Sequence, residues 1–200
     1  MTPANHLVAF AKTPRLGRVK SRLAADVGAV AATAFYRRTL ASVLPPLARD
    51  GRWCCWLAVT PDRDARNAGS WPAGWQPIPQ GRGDLGQRMA RPLRRLPPGP
   101  VVIIGTDVPD IRPRHVARAF EALGANDAVF GPSSDGGYWL IGLDRRQRGP
   151  TPFKDVRWST EYALADTLAN LDDGKKIALL EILDDIDDGA DLARWRSGKP

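Results

Sequence analysis

Cysteine and histidine are scarce in these 200 residues, with two of each. Cys54 and Cys55 are neighbours in a β-rich run, so a strand turns them to opposite faces. That excludes a disulfide framework and a thiolate zinc site. His6 and His115 lie far apart, neither has a partner at metal-ligand spacing, and both read as structural. No run approaches the ~20 apolar residues of a membrane span, and the amino-terminal residues lack the apolar centre of a secretion signal. The expectation is a cytoplasmic protein. No internal repeat or low-complexity linker divides the chain, so a single domain spanning 1–200 is expected.

What is present is basic and unevenly so. The net charge is +7, but residues 1–150 carry +11 and residues 151–200 carry −4. A basic body suits an anionic ligand, either a nucleotide or a nucleic acid. Arginine (23) far outnumbers lysine (6), which a GC-rich genome also produces, so the charge by itself is a weak pointer.

Short apolar runs alternate with helical patterns. Residues 7–10, 53–60, 101–104, 128–130 and 138–143 read as strands. Residues 29–44 read as a helix stopped near Pro45 and Pro46. Residues 85–96 read as a helix that Pro92 kinks or ends early, and 114–123 as a helix started by Pro113. Residues 160–171 and 191–195 are helical in pattern, 177–182 are ambiguous, and 65–75 and 145–152 read as loops. The alternation predicts an α/β fold with a mostly parallel sheet covered on both faces. Ligands of such sheets sit beyond the carboxyl ends of the strands, so the residues following each strand are the ones to inspect.

The first such segment carries five cations, Lys12, Arg15, Arg18, Lys20 and Arg22, with Pro14 and Gly17 to shape a turn before a helical pattern. Side-chain cations, free backbone N–H groups and a helix dipole at one point suit a phosphate chain, and the alternative is a solvated basic loop. After strand 101–104, Gly105-Thr106-Asp107 delivers a carboxylate to the ligand edge; Asp107 suits a divalent cation or, alternatively, a turn. Asp110 reads as a turn or capping residue. After strand 128–130, Gly136 and Gly137 permit close backbone approach, and Asp135 reads as a second metal ligand or general base, or as part of a plain hairpin turn. Asp84 in the glycine-rich segment 81–89 caps the following helix or lies near a nucleotide with Gly83, Gly86 and Arg88. Ser159 reads as a helix N-cap, and Trp158 as a core or lid aromatic or a ring that stacks on ligand. The acidic run 184–188 invites a metal, but Asp188 with Asp191 reads best as the cap of the last helix.

Together these motifs resemble a known family. Ala11-Lys-x-Pro-x-x-Gly-x-Val-Lys-Ser-Arg-Leu23, Gly83-Asp-Leu-Gly-x-Arg-Met89, Gly105-Thr-Asp-x-Pro109, Gly131-Pro-x-x-Asp-Gly-Gly-Tyr138 and Trp158-Ser-Thr160 are similar to the bacterial glycosyltransferase-like family labelled arsenosugar-biosynthesis or selenodomain-associated transferases. That family belongs to the nucleotide-diphospho-sugar transferase superfamily. Asp185-Ile-Asp-x-x-x-Asp-Leu192 resembles the superfamily's closing motif, with Asp188 where threonine is usual. The basic loop and Asp107 are also similar to phospholactate and molybdopterin guanylyltransferases. The resemblance implies a GT-A fold, a three-layer αβα sandwich with a mostly parallel mixed sheet. It implies a nucleotide at the strand ends, Mg²⁺ or Mn²⁺ on Asp107 and Asp135, and phosphates held by Lys12, Arg15, Gly17, Lys20, Arg22 and Thr106. Gly83, Asp84, Gly86 and Arg88 then lie near the nucleotide, and Gly136, Gly137, Trp158 and Ser159 near a small-molecule acceptor. Lys20, Asp107 and Asp135 are the expected catalytic groups. The dense cationic turn favours nucleotidyl transfer from a nucleoside triphosphate to an anionic acceptor. Sugar transfer from a nucleotide-diphospho-sugar is the alternative, and nucleic-acid binding a remote one.

Overall fold

The computed structural model describes residues 4–67, 69, 71–145, 151–171 and 174–198. Residues 146–150 of the expected loop lie outside the described residues. Seven strands form one sheet: β1 His6–Lys12, β2 Cys54–Thr60, β3 Gln76–Pro79, β4 Val101–Gly105, β5 Ala128–Pro132, β6 Tyr138–Leu143 and β7 Ile177–Leu179. Their spatial order is β3-β2-β1-β4-β6-β5-β7. β6 pairs antiparallel with both β4 and β5, whereas every other pairing is parallel. Six carboxyl ends and the start of β6 therefore share one edge of the sheet.

The helices are α1 Ser21–Val27, α2 Ala29–Ala48, α3 Leu85–Arg95, α4 Pro113–Leu123, α5 Ala163–Ala169 and α6 Gly189–Arg196, with a 3₁₀ turn at Asp62–Arg66. Alternation along β1 sorts the layers. Leu7, Ala9 and Ala11 join α2 and α4 in one apolar cluster, while Val8 joins Met89, Ala90 and Leu93 of α3 and Phe153 in another. Covered on both faces, the central strands are apolar almost throughout, as in Val101–Ile104. A third cluster of Leu23, Ala32, Phe35, Ile186 and Leu192 ties α1 and α6 to the start of α2. No helix among the described residues is long and apolar enough to cross a membrane.

The helix ends expected at prolines are corrected, and one strand is added. α2 does not stop at Pro45 and Pro46 but runs through both to Ala48. Leu44 and Leu47 are fully buried there, and the indoles of Trp75 and Trp53 donate to their carbonyls at 2.9 and 3.0 Å. Those bonds and that burial outweigh two missing N–H donors in a last turn. α3 likewise carries Pro92 inside it, buried with Leu93 against the sheet. The proline-rich segment Gln76–Pro79, not expected as structure, is an edge strand, where a residue without an N–H is tolerated. Cys54 and Cys55 are free thiols on opposite faces, one exposed and one buried, as their adjacency predicts.

Gly131 lets the Trp139 ring lie against β5; a Cβ there would sit 2.3 Å from the indole. Trp139 is buried and donates to the Glu181 carbonyl at 3.1 Å. Gly131→Ala is expected to cost about 1–3 kcal/mol, read as a lowered urea midpoint, because overpacking displaces a ring that has nowhere to move.

Candidate active site at the carboxyl edge of the sheet

A buried tyrosine fastens the middle of this edge. Lys12 N–H donates to the Tyr36 hydroxyl at 2.9 Å, Tyr36 meets Thr106 Oγ1 at 3.1 Å, and Thr106 Oγ1 donates to the Phe10 carbonyl at 2.9 Å. α2 thereby joins the ends of β1 and β4. Burial first, then the Asp107 charge, holds the Tyr36 hydroxyl far above its ordinary pKa, so it acts as a fixed neutral group. The Thr106 hydroxyl is committed to this tie and is almost fully buried, so it faces no open phosphate position.

The basic turn then separates its cations. Arg15 makes two bonds to Asp64, at 2.8 and 2.9 Å, and Thr13 Oγ1 donates to the same carboxylate at 2.7 Å. Gly17 turns the chain at φ 68°. Lys20 takes the left-handed conformation (φ 49°, ψ 53°) immediately before α1, and its side chain is 5% exposed. Its ammonium lies 3.2 Å from Asp107 Oδ1 and 3.0 Å from Asp187 Oδ1. Arg22 reaches the other Asp187 oxygen at 2.7 Å. The Lys12 side chain and Arg18 stay exposed.

Asp187 arrives from the far end of the chain. Leu183 N–H donates to Pro132, Ser134 donates twice to Asp184, and Ile186 N–H donates to the Asp107 carbonyl. Asp191 then accepts from the N–H groups of Asp187 and Asp188, while Asp188 accepts from Asp191 N–H, the expected cap of α6. Asp185 lies in the same basin. Burial and the neighbouring Asp187 charge raise its pKa to about 6, with Lys20 opposing and Asp135 and Asp107 adding to the rise.

Asp135 belongs to the turn between β5 and β6, the hairpin alternative. Its Oδ1 accepts from Gly137 N–H at 2.9 Å, and Ser133 and Gly137 close the turn. Gly136 (φ 83°) packs so tightly that a Cβ would meet the Glu161 carbonyl oxygen at 2.1 Å, and its own carbonyl accepts from Leu164 N–H. Asp84 caps α3 by accepting from Gln87 N–H at 2.7 Å. Arg88 contacts Gln80 Oε1 and the Asp84 carbonyl. Gly83 turns at φ 107°, and Gly86 gives room to Phe153 and the Trp158 ring. Trp158 packs with Phe153 and Tyr138 in the core cluster, its non-stacking alternative. Ser159 is not an N-cap: it sits at φ 61°, and α5 starts only at Ala163. Asp110 does not cap α4 either; it accepts from the Trp195 indole at 3.0 Å.

The structure therefore brings Lys20, Asp107, Asp185 and Asp187 together, with Asp135 near enough for its charge to be felt at Asp185. Sequence reasoning raised a metal for the acidic run 184–188 but set it aside for the capping pair Asp188 and Asp191, which left Asp185 and Asp187 outside the expected site. It also passed over Tyr36 and over Gln80, whose buried amide donates to the Ala11 and Ala58 carbonyls. No local signal marks either, since their partners lie on other strands. Among the described residues no group of three or more histidines, cysteines or acids is spaced to hold a metal ion. Asp107 and Asp187 make an oxygen-donor pair on either side of one cation, which suits Mg²⁺ or Mn²⁺ completed by substrate phosphates.

Residues 43–160 match a family described as an uncharacterized protein conserved in bacteria, DUF2064. The chain belongs to this family. No curated protein matches it. A candidate nucleotide-diphospho-sugar transferase from Desulfovibrio desulfuricans G20 is similar at 28% identity and TM-score 0.86, over 100% of this chain and 89% of that one. The 4-diphosphocytidyl-2C-methyl-D-erythritol synthase of Anaerococcus prevotii DSM 20548 is similar at 11% identity and TM-score 0.62, over 98% and 97%. Glucosyl-3-phosphoglycerate synthase from Mycobacterium tuberculosis, with Mn²⁺, uridine diphosphate and glucosyl-3-phosphoglycerate, is similar at 13% identity and TM-score 0.55, over 99% and 81%. The DUF2064 chain has the α/β fold and seven-stranded mixed sheet of nucleotide-diphospho-sugar transferase structures.

Two outcomes follow from this geometry. Gly136→Ala is expected to lower stability by about 2 kcal/mol or more, from positive φ together with a backbone clash. Gly137→Ala should cost less, because it meets only the Asp135 carboxylate; paired denaturation curves compare them. Because the folded pKa of Asp185 is raised, the folded protein holds a proton there that the unfolded chain has released, between pH about 4 and about 6. Its stabilising contribution is complete below that window and lost above it. Asp185→Asn should therefore raise the melting temperature at pH 8, with the gain shrinking toward pH 4.

Proposed function

We propose that this DUF2064 protein is a metal-assisted nucleotidyltransferase that loads an anionic small molecule from a nucleoside triphosphate. The observation that carries the reading is the cation-bridged pair Asp107 and Asp187 beside the basic turn at the carboxyl edge of the sheet. Lys12, Arg18, Lys20 and Arg22 are the phosphate ligands, and Arg15 sets the shape of the turn through Asp64. Gly83, Gly86 and Arg88, with Asp84 holding α3, border the nucleotide. Gly136, Gly137, Trp158 and Ser159 border the acceptor, with Asp135 beside it. An acceptor oxygen attacks the α-phosphorus, the bond to the β-phosphate oxygen breaks, and pyrophosphate leaves with that electron pair. A bound Mg²⁺ or Mn²⁺ on Asp107 and Asp187 would neutralise the charge that builds on the phosphates. The residues' own contribution is positioning and electrostatic stabilisation, the main means by which phosphoryl transfer is catalysed. A triphosphate substrate is consistent with a cytoplasmic setting.

Glycosyl transfer is the second reading, favoured by the description of the 28%-identical relative. Product analysis separates the two: pyrophosphate release from a triphosphate supports nucleotidyl transfer, and nucleoside diphosphate release from a nucleotide-sugar supports glycosyl transfer. Asp107→Ala should lower metal-dependent turnover by about 10²-fold or more. Turnover near the wild-type rate in that variant would overturn the assignment.

A further inference from the structure

The Lys20 ammonium sits between the carboxylates of Asp107 and Asp187. It is within 3.2 Å of one carboxylate and 3.0 Å of the other, and the Lys20 side chain is shut away from water. Its backbone is left-handed, a conformation that a residue with a Cβ adopts at a cost. The side chain is thus directed into the carboxylate pair rather than out toward the open edge where Lys12 and Arg18 lie. Arg22 differs: it touches only the outer oxygen of Asp187, and its own side chain is 73% exposed.

We propose that Lys20 is a placeholder for the metal: in the nucleotide-free protein its ammonium fills the gap between Asp107 and Asp187, and a divalent cation settles there only when a phosphate chain draws the ammonium away. The inference rests on the metal reading given under Proposed function. Two cations a few ångströms apart repel, so the pair of carboxylates cannot hold both at this spacing. A polyphosphate removes the conflict, since its oxygens accept the ammonium and also complete the metal's coordination. Among the described residues no three acids, histidines or cysteines are grouped to hold a metal ion, so free metal is poorly held. Metal and phosphate chain therefore bind with positive coupling, and the coupling is reciprocal.

The test is calorimetric titration of the nucleotide-free protein with Mn²⁺ alone and with the Mn²⁺–tripolyphosphate complex. Wild type should bind the complex but hold Mn²⁺ alone weakly. Lys20→Met should tighten Mn²⁺ alone by about tenfold or more and weaken the complex. Arg22→Met, which removes the same charge from the outer side, should change Mn²⁺ alone by no more than about threefold. Lys20→Gln replaces Lys20→Met if that variant does not fold, with the same expectation. Unchanged Mn²⁺ affinity on losing Lys20, or equal tightening in the Arg22 variant, would overturn the placeholder while leaving the metal reading intact. Failure of every protein to bind Mn²⁺ in either form would overturn both.

Discussion

Lys20 can give up its water only because two carboxylates take its place. A lysine whose side chain is only 5% exposed would be costly without paired counter-charges, so the position of Lys20 requires Asp107 and Asp187 to be where they are. That requirement reaches across the chain. Residue 187 has to be carried back past the ends of β5 and β4 to meet residue 20. The bonds from Leu183 to Pro132, from Ser134 to Asp184 and from Ile186 to Asp107 are the route. The cluster of Leu23, Phe35, Ile186 and Leu192 seals it by burying apolar surface beneath the charges.

The sheet makes such an arrangement possible. Among the described residues β6 alone runs against the other strands, so the crossovers return the chain to the same edge, and each turn there adds polar groups to a common surface. What keeps that surface open is the commitment of many groups to structure. Thr106 bonds Phe10, Arg15 bonds Asp64, Asp84 caps α3 and Gln80 closes the ends of β1 and β2. The side chains left over are the exposed Lys12 and Arg18 and, beside them in the same basic turn, Lys20 and Arg22 paired with the carboxylates of Asp107 and Asp187.

Local rules served where the interaction was local. The alternation of β1, the cap of α6 by Asp188 and Asp191, and the cap of α3 by Asp84 depend on residues within a few positions. They failed where long-range packing outweighed propensity. Pro45, Pro46 and Pro92 remain inside helices because buried leucines and, for α2, indole donors from Trp53 and Trp75 hold the backbone there. Ser159 has the composition of a cap, but its positive φ and the late start of α5 remove it from that role.

The sequence by itself determined the class of fold, the edge at which to look and most of the polar groups gathered there. Glycine turns, strand–helix alternation and the dense run of cations are short-range properties that survive in one dimension. Only the tertiary structure decided which of those groups meet. Of five cations in one turn, one is drawn to Asp64, two to Asp187 and two are left in solvent, and Asp187 joins Asp107 although 80 residues separate them. Charge pairing depends on distance in space, which is set by the packing of α1, α6 and the sheet rather than by spacing along the chain.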